Sequence, residues 1–422
     1  MLLDDLRWRG LVHQTTDDDG LGRWLEARPR TLYAGFDPTA DSLHVGSLLP
    51  LLLLRRFQLA GHRPIAIVGG ATGMIGDPSG KNEERNLLSR DELDRNVAGL
   101  AKQMRRLLDF DAGPTAAQLV NNLDWTERFS FLEFLRDVGK NFPVNMMLAK
   151  DSVKSRLDRE DAGLSYTEFS YMLLQAYDFV HLYDAFGCEM QVGGSDQWGN
   201  ITAGIDLARR MRGVQLYGLT CPLLTKSDGA KMGKTELGTV WLSAERTTPK
   251  EFFDFWINVD DADVGNCLRM LTTISRNEIE SLDKARQQDA ARRDSQRRLA
   301  EELTRLVHGA DIAQHLTDAF LGSKLPDLTD EQLSEIFGNA MPTLSRNRLV
   351  ENGGIPLIDA LVEASLAGTK SDARRKIEQG GAYVNEKRVD DIHRTLSIAD
   401  LGGDLTISLR IGKRHRALLR FR

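Results

Sequence analysis

Short apolar runs alternate with leucine-rich or amphipathic stretches through the first part of the chain. The runs TLYAGF at residues 31–36 and PIAIVGG at residues 64–70 are typical of strands buried in a parallel sheet. Residues 48–60 between them are rich in leucine and predict a helix that ends near Gly61. A strand, a helix and a second strand predict a right-handed βαβ unit, whose ligands gather beyond the carboxyl ends of the strands.

The same alternation continues to about residue 242. Residues 169–182, FSYMLLQAYDFVHL, have helical spacing, residues 189–192 indicate another buried strand, and GGSD at residues 193–196 opens the next turn. We therefore predict an α/β fold class, with a Rossmann-like parallel-sheet catalytic domain over residues 1–245.

After residue 248 the pattern changes to charged helical stretches such as DSQRRLAEELTRLV. These stretches predict an all-helical domain over residues 246–325. Residues 326–353 indicate a linker that contains the short helix EQLSEIF. Residues 354–422 combine two helical patterns with the strands AYVN and DLTISLRIG, which predicts a small C-terminal α+β domain.

Length and charge restrict the possible functions. The 422 residues exceed one ordinary domain and predict two or three. The formal net charge of −6 argues against a protein that coats nucleic acid nonspecifically. The end of the chain, RIGKRHRALLRFR from Arg410, is nevertheless basic and contains no acid. On composition alone, a solvated tail and a contact with RNA or phosphate are equally good interpretations.

The cysteines and the apolar runs bear on the compartment. Cys188, Cys221 and Cys267 are far apart and form no CxxC pair, which argues against a disulfide framework and a zinc site. The first ten residues lack the apolar core of a signal peptide, and the most apolar run, at residues 48–54, is too short to span a bilayer. We therefore expect a cytoplasmic protein with no membrane partner.

Two loops have the composition of ligand-binding loops. GGATGMIGDPSGK, at residues 69–81, follows a predicted strand, and its five glycines let backbone amides approach a ligand, although it lacks the Walker pattern. HVGS, at residues 44–47, lies at a helix N-terminus that favours an anion. Taken alone, a glycine-rich turn and a locally capping histidine are the favoured interpretations of these residues.

Two further segments carry polar side chains in a suggestive arrangement. Tyr171, Gln175 and Asp178 lie at i, i+4 and i+7, so one helix face carries all three. TKSDGAKMGKT, at residues 225–235, puts three lysines and two glycines into one loop. Taken alone, a partly exposed polar stripe and solvated surface lysines are the plainer interpretations.

Five segments in a fixed order are far more specific than any one of them: YAGFDPTADSLHVGS, GGATGMIGDPSGK, YMLLQAYD, QVGGSDQWGN and KMGKT. This set closely resembles the bacterial tyrosyl-tRNA synthetase family of class I, whose signatures are written HIGH and KMSKS. The resemblance covers essentially the whole chain, including the helical domain on the anticodon side and a C-terminal RNA-binding module like that of a small-subunit ribosomal protein.

The resemblance implies attack of the tyrosine carboxylate on the α-phosphorus of ATP, which gives tyrosyl-adenylate and pyrophosphate, followed by transfer of tyrosine to the 3′ end of tRNA(Tyr). A carboxylate is ionised at neutral pH, so the main task is to stabilise charge on the phosphates in the transition state. Flexible lysines suit this task. The catalytic residues implied by the resemblance are His44, Lys81, Arg85, Lys231, Lys234 and Thr235.

The resemblance also implies three sets of binding residues. For tyrosine they are Tyr33, Asp77, Tyr171, Gln175, Asp178 and Gln197, with Tyr33 and Asp178 on the phenol hydroxyl. For ATP they are Gly35, Asp37, Thr39, His44, Gly46, Ser47, Gln191, Gly194, Asp196, Lys231, Met232 and Lys234. For RNA they are Arg374, Arg375, Lys376 and Lys387. Mg²⁺ is expected with ATP, although the sequence has no dedicated metal cage.

Two positions depart from the family signatures. Ser47 replaces the second histidine of HIGH, and its hydroxyl can donate a hydrogen bond but cannot carry charge. Gly233 replaces the serine of KMSKS, and we expect this glycine to loosen the loop.

The resemblance also implies a homodimer, for which residues 131–148, FLEFLRDVGKNFPVNMML, could supply an apolar interface. The core of the catalytic domain is an equally simple explanation of this segment.

Three other functions compete with that of a tyrosyl-tRNA synthetase. Ser47 leaves open a noncatalytic RNA-binding protein of the same fold. The tryptophan enzyme of the same fold is disfavoured by the phenol acceptors Tyr33 and Asp178, and a generic ATP-binding protein by the tRNA-type appendages.

Overall fold

The computed structural model describes residues 1–77, 88–150, 153–154, 164–235, 238–321, 329–338, 341–402, 405–412 and 415–422. The chain forms two compact units. The first contains Met1–Ser243 and Asn258–Leu299, and the second contains Ala244–Ile257 and Ala300–Arg422. The three boundaries between the four predicted segments stay predictions.

A six-stranded sheet forms the centre of the first unit. Its strands are β1 Gln14–Thr15, β2 Thr31–Phe36, β3 Arg63–Val68, β4 Gln118–Asn121, β5 Cys188–Gly194 and β6 Tyr217–Cys221. They lie in the order β1-β6-β5-β2-β3-β4. The strands from β6 to β4 are parallel, and the edge strand β1 is antiparallel to β6. This arrangement confirms the predicted parallel α/β architecture.

Helices cover the sheet. Before residue 243 the described helices are Leu2–Trp8, Leu21–Ala27, Val45–Leu59, Gly70–Ile75, Arg90–Leu107, Leu123–Thr126, Phe131–Asp137, Val144–Leu148, Tyr166–Phe186 and Trp198–Arg212. Tyr166–Phe186 begins after Ser165, whose side chain accepts from the Glu168 amide, and it ends at Gly187 in the left-handed conformation. Its apolar face contributes Phe179, Val180 and Leu182 to a core shared with β2 and β3.

The helix Val45–Leu59 begins at Val45, whereas the leucine pattern predicted a start at Leu48. Gly46 and Ser47 are poor helix formers, which hides the first turn in the sequence. In the structure the Val45 amide donates to the Val240 carbonyl at 3.0 Å, which satisfies one of the free amides at this helix end. A tertiary hydrogen bond thus supports a first turn that local propensity does not favour.

The lysine segment forms a folded hairpin. Strand β7, Lys234–Thr235, pairs antiparallel with β8, Gly238–Thr239. Upstream, Thr225 pairs with Lys231 in an isolated bridge, and the Met232 amide donates to the Leu224 carbonyl at 3.0 Å. The loop therefore has its own backbone hydrogen bonds.

Helices dominate after residue 248, as predicted. They are Pro249–Ile257, Asp261–Leu271, Arg276–Gln288, Asp294–His308, Ala310–Leu321 and Asp330–Phe337. The last of these confirms the short helix EQLSEIF, and Thr329 and Gln332 form a capping box at its start.

The C-terminal part of the second unit contains a five-stranded sheet in the order β12-β11-β14-β15-β9. Its strands are β9 Thr343–Leu344, β11 Ala382–Val384, β12 Lys387–Val389, β14 Thr406–Ile411 and β15 His415–Phe421. A separate pair is formed by β10 Ile355–Pro356 and β13 Thr395–Leu396. The helices Leu357–Glu363 and Lys370–Glu378 share an apolar core with the larger sheet, which confirms its α+β character. Strand β9, in the predicted linker, pairs with β15.

Within the ranges given above, every helix is too short or too polar to cross a lipid bilayer.

Candidate active site

Several of the residues predicted to bind tyrosine or ATP lie in strands β2 and β5 or directly after them, and these two strands are neighbours in the sheet. From β2 the chain adds β3 and β4 on one side, whereas β5 and β6 lie on the other side. Such a reversal of strand order opens a crevice at the carboxyl ends of the strands, where doubly wound sheets bind ligands. Asp37 directly follows β2, and Asp196 lies in the turn that follows β5.

Tyr33 lies in β2 and is almost completely buried, with 1% of its surface exposed. Its ring packs edge to face against Phe179, with 5.2 Å between the ring centroids. The Tyr33 hydroxyl makes no hydrogen bond within the described part of the chain. Burial, with smaller effects from Asp178 and Cys188, raises the pKa of this phenol well above its usual value. Tyr33 therefore presents a neutral hydroxyl that a ligand can pair.

Asp178 is buried and is predicted, together with Tyr33, to contact the phenol hydroxyl of the substrate. The Asn122 amide donates to Asp178 Oδ2 at 3.0 Å, and the Trp125 indole donates to Asp178 Oδ1 at 2.9 Å. Burial raises the pKa of Asp178 to about 7, although these two hydrogen bonds oppose the shift. Since a carboxylate has about four lone-pair sites, two donors leave room for a hydroxyl from a ligand.

A chain of hydrogen bonds runs from Asp178 to Tyr171. The Asn122 amide also donates to Thr72 Oγ1 at 3.1 Å, and the Thr72 hydroxyl donates to Asp37 Oδ1 at 2.8 Å. Tyr171 completes the chain by donating from its hydroxyl to Asp37 Oδ2 at 3.0 Å. Asp37, which was predicted to bind ATP, is thereby connected through hydrogen bonds to residues that were predicted to bind tyrosine.

The sequence reasoning missed Thr72, Asn122 and Trp125, which hold two of the predicted carboxylates. Asn122 is almost fully buried, and its carbonyl oxygen accepts from the Ala71 amide at 2.7 Å, so both ends of this amide are used. The available signal was the pair of asparagines at the end of strand β4, Asn121 in its last position and Asn122 directly after it, because polar residues at the carboxyl end of a parallel strand face the ligand crevice.

A second polar group links the helix Tyr166–Phe186 to the turn after β5. The Gln175 amide donates to Gln197 Oε1 at 3.1 Å, and the Gln197 amide donates to Asp77 Oδ2 at 2.8 Å. Asn200 also donates to Gln197 Oε1, at 3.2 Å. The Gln175 carbonyl oxygen is buried and has no partner in the described ranges. Five of the six residues predicted to bind tyrosine thus belong to two short hydrogen-bond networks: Asp178 and Tyr171 in the first, and Gln175, Gln197 and Asp77 in the second.

Carboxylates dominate the charge of the crevice. The pKa of the Tyr171 phenol is raised, first by burial and then by Asp37 and Asp77. Loss of hydration and the neighbouring Asp77 also raise the pKa of Asp196, whereas Lys231 acts in the opposite direction. Such a set of acids favours a cationic group, and the ammonium of an amino acid is one.

Three predicted ATP residues line this region from the strands. Gly35 is exposed although its neighbours in β2 are buried, and a Cβ built there would meet nothing within 4 Å. A Cβ on Gly194 would lie 2.6 Å from Asp196 Oδ1, so glycine leaves room for that carboxylate. The Gln191 amide oxygen is buried without a partner among the described residues.

The HVGS segment lies beside the residues that flank the lysine hairpin, Gly233 before it and Trp241 after it. His44 is the N-cap residue of the helix Val45–Leu59 and forms an antiparallel bridge with Trp241. Their rings are 6.2 Å apart at an angle of 64°. A Cβ on Gly46 would lie 2.8 Å from the His44 ring, so Gly46 accommodates the imidazole. Ser47 donates from its amide to the His44 carbonyl at 2.8 Å.

Lys231 and Lys234 are exposed, whereas Met232 between them is buried. Met232 Sδ lies 3.5 Å from Cys267 Sγ, so the methionine side chain anchors the loop on the helix Asp261–Leu271. The same helix carries Asp263, whose Oδ1 accepts from the Ser227 amide at 2.7 Å. The two lysines are thus held at the surface by buried contacts on either side of Lys231.

Gly233 does not fit the expectation that it loosens the loop. Its φ is +86°, a conformation that residues with a side chain rarely adopt, and it is buried. A Cβ on Gly233 would lie only 2.9 Å from Val45 Cβ. Glycine therefore allows a tight turn to press against the first residue of the helix Val45–Leu59.

The predicted RNA-binding residues lie in the second unit, apart from the crevice residues along the chain. Arg374, Arg375 and Lys387 are exposed. Arg375 and Lys376 both form ion pairs with Asp372, at 2.8 and 2.7 Å, and Lys376 also donates to the Leu366 carbonyl. Part of the predicted basic surface is therefore neutralised within its own helix.

Lys81 and Arg85 lie outside the described residues. Thr39 is exposed, and its amide donates to the Asp37 carbonyl at 2.9 Å. Thr235 lies in β7, opposite Gly238. No group of three or more His, Cys, Asp or Glu side chains in the described ranges is arranged to hold a metal ion.

The parallel sheet with its crevice and lysine hairpin is the fold of class I aminoacyl-tRNA synthetases. Residues 25–322 match the model of the family "tRNA synthetases class I (W and Y)". Residues 332–419 match the "Tyrosine--tRNA ligase SYY-like C-terminal domain".

The chain belongs to the tyrosine–tRNA ligase family of this class. It is 57% identical over 422 residues to the tyrosine–tRNA ligase of Rhodopirellula baltica, covering 99% of this chain and 96% of the relative. It is 48% identical to that of Geobacillus stearothermophilus, covering 100% and 99% of the two chains. The crystal structure of a C-terminally truncated mitochondrial tyrosyl-tRNA synthetase from Aspergillus nidulans superposes with a TM-score of 0.69 at 32% identity, covering 75% of this chain and 92% of that one.

Proposed function

We propose that this protein is a tyrosine–tRNA ligase that uses ATP to form tyrosyl-adenylate in the β2–β5 crevice and then transfers tyrosine to tRNA. The observation that carries the assignment of the substrate is the buried pair of Tyr33 and Asp178. One offers a hydroxyl without a hydrogen bond in the described part of the chain, and the other offers lone pairs beyond those that accept from Asn122 and Trp125.

Recognition of a phenol follows from this pair. The tyrosine hydroxyl donates to Asp178 and accepts from Tyr33, whereas phenylalanine would leave the buried Tyr33 hydroxyl without a partner and would give Asp178 no further donor. Rejection of phenylalanine by tyrosyl-tRNA synthetases is itself a standard illustration of the rule that unpaired buried groups give strong discrimination. The ammonium of the substrate lies near Tyr171, Gln175 and Asp77, where carboxylates favour positive charge.

ATP occupies the part of the crevice between Gly35 and the HVGS segment. The open space above Gly35 accommodates the nucleotide close to the backbone, and Asp196 accepts hydrogen bonds from the ribose. His44 and Thr39 contact the phosphates. Lys231 and Lys234 stabilise the charge that develops as pyrophosphate leaves, together with Lys81 and Arg85. Because the tyrosine carboxylate is already ionised, no side chain has to act as its general base.

Mg²⁺ enters with ATP in this proposal. The described residues contain no group of three or more potential metal ligands, and phosphate oxygens and water would supply most of the coordination, as is usual for this ion. The metal would neutralise part of the phosphate charge, and the lysines of this chain would stabilise the remaining charge.

The C-terminal residues 354–422 contact tRNA, and the helical residues 246–325 lie on the anticodon side, with residues 326–353 joining the two. Arg374 and Lys387 are the exposed cations that best fit this role, because Arg375 and Lys376 share Asp372. A phosphate contact of this kind weakens as salt increases.

We further propose a homodimer that uses residues 131–148. Half of the exposed large apolar side chains in the described ranges fall in this segment: Phe131, Leu132, Leu135, Val144, Met146 and Leu148. An exposed cluster of this kind is typical of an interface, which favours this interpretation over the core of the catalytic domain. A cytoplasmic location follows from the proposed role in translation.

The test is amino-acid-dependent exchange of pyrophosphate into ATP with tyrosine, phenylalanine and tryptophan. We expect exchange with tyrosine alone, and its loss in Asp178→Ala and Lys231→Ala. Lys226→Ala is the matched control, because it removes a lysine of the same loop that lies outside the signature. Folded protein that binds RNA but exchanges with no amino acid would instead establish the noncatalytic alternative.

A further inference from the structure

His181 lies outside the predicted tyrosine site, but its ring stacks on the indole of Trp125. The ring centroids are 4.4 Å apart, and the planes differ by only 17°. Trp125 Nε1 in turn donates to Asp178 Oδ1 at 2.9 Å. His181 follows Asp178 by three positions on the helix Tyr166–Phe186, so one rigid helix carries both the carboxylate and the ring that covers its indole donor.

We propose that His181 is a positioning residue for tyrosine recognition, which acts by holding the Trp125 indole in the orientation that occupies Asp178 Oδ1. The proposal rests on the function proposed above. With Asn122 as a fixed donor to Oδ2 and Trp125 as a fixed donor to Oδ1, each oxygen of Asp178 keeps lone-pair capacity for a further donor, which the substrate hydroxyl supplies.

The orientation of the indole depends on the groups that pack around it. Trp125 belongs to the helix Leu123–Thr126, which has only four residues. So short a helix makes few internal hydrogen bonds, and the orientation of its side chains depends on tertiary contacts. The stacked His181 is the ring contact of Trp125 in the described part of the chain.

The hydrogen bond from Trp125 also affects the charge of Asp178. Together with Asn122 it lowers the pKa of a carboxyl group whose burial raises it. A displaced indole would therefore leave Asp178 both less well oriented and less often ionised at neutral pH. Either change weakens the acceptor that the tyrosine hydroxyl requires.

His181 itself is half-buried and suited to a neutral stack. Burial lowers the pKa of its imidazole, Arg128 adds to this shift, and Asp184 opposes it. The ring is therefore mainly neutral at pH 7 and contributes an aromatic surface instead of a charge. Because it is not a deeply buried core residue, its replacement leaves the fold intact.

The experiment compares His181→Ala, His181→Leu and His181→Phe in the full-length protein. Equilibrium dialysis measures the Kd of radiolabelled tyrosine, and pyrophosphate exchange gives the KM values for tyrosine and ATP. We expect Ala and Leu to weaken tyrosine binding by roughly three- to tenfold, the range of an aromatic pair, and to leave the KM for ATP unchanged. His181→Phe restores the stack and should stay within about twofold of the wild type.

A double-mutant cycle tests whether His181 acts through Trp125. Trp125→Phe keeps a ring but removes the donor to Asp178, so adding His181→Ala to it should have a smaller effect than in the wild type. Tyr183→Ala, on the same helix but without a ring contact to Trp125 among the described residues, is the matched control with unchanged tyrosine affinity.

The outcomes separate this inference from the proposed function. Variants with wild-type tyrosine affinity, or a phenylalanine variant as weak as the alanine variant, would overturn the role of His181 and leave the function standing. Wild-type protein without tyrosine-dependent exchange would remove the proposed function and this inference with it.

Discussion

Replacing Gly233 by the serine of the family signature should impair the protein. The substitution imposes two costs that the structure separates. A residue with a side chain at φ +86° costs about 1–2 kcal/mol. The new Cβ would also lie 2.9 Å from Val45 Cβ, so the loop and the helix must move apart, which costs roughly 1–3 kcal/mol more.

Gly229 provides the matched control for this substitution. Its φ is +85°, nearly the same as that of Gly233, but a Cβ there would meet nothing within 4 Å. Gly229→Ser therefore incurs the conformational cost alone. The difference between the two variants isolates the contact with Val45.

Pyrophosphate exchange and urea unfolding provide the assay. We expect Gly233→Ser to slow exchange by at least about tenfold, because Lys231 and Lys234 would be displaced from the ATP phosphates. Gly229→Ser should slow exchange by less than about threefold. Equal effects of the two variants, or faster exchange in Gly233→Ser, would refute the view that glycine fixes this turn.

The remaining predictions concern the site and the surface. The Kd for tyrosine should rise as pH falls below about 7, by up to about tenfold per unit, because Asp178 takes up a proton; dialysis between pH 5.5 and 8 that gives a constant Kd would contradict this. The same raised pKa makes the free protein less stable as pH rises from about 4 to about 7, since the unfolded carboxyl ionises first, and urea unfolding across this range measures the change. Leu132→Asp should give monomers by sedimentation, whereas Leu59→Asp, at a similarly exposed leucine, should leave the dimer intact. Arg374→Glu should reduce tRNA charging to a similar extent whatever the tRNA sequence. It should also make the charging rate less dependent on salt concentration, without changing pyrophosphate exchange.

The sequence predicted most of the elements that local pattern determines. Strand β2 was predicted from its apolar run and has the predicted bounds. The helix around Asp178 was predicted from helical spacing and is longer than predicted at both ends. The start of the helix at Val45 was missed because its support comes from Val240, which is remote in sequence. Local propensity carries no information about such a partner.

The candidate site divides in the same way. Tyr33 and Asp178 were identified through the family motifs, and the structure brings both into one buried region. Asn122, Trp125 and Thr72 were missed, because a buried hydrogen-bond network is defined by proximity after folding and leaves no periodic pattern. Gly233 was misjudged because a sequence does not reveal whether a glycine serves mobility or a fixed turn with positive φ.

The bridge between His44 and Trp241 has a consequence for how the protein is made. The partners of His44 and Val45, Trp241 and Val240, lie nearly two hundred residues later in the chain, just after the lysine hairpin, so these backbone contacts form only after that segment has been synthesised. At roughly 5–20 residues per second, about 10–40 s pass between translation of the two segments. During that time the start of the helix at Val45 lacks its partner carbonyl and the crevice has no lysine hairpin. The nascent enzyme therefore cannot bind its nucleotide in the final geometry until the chain has been synthesised beyond Trp241.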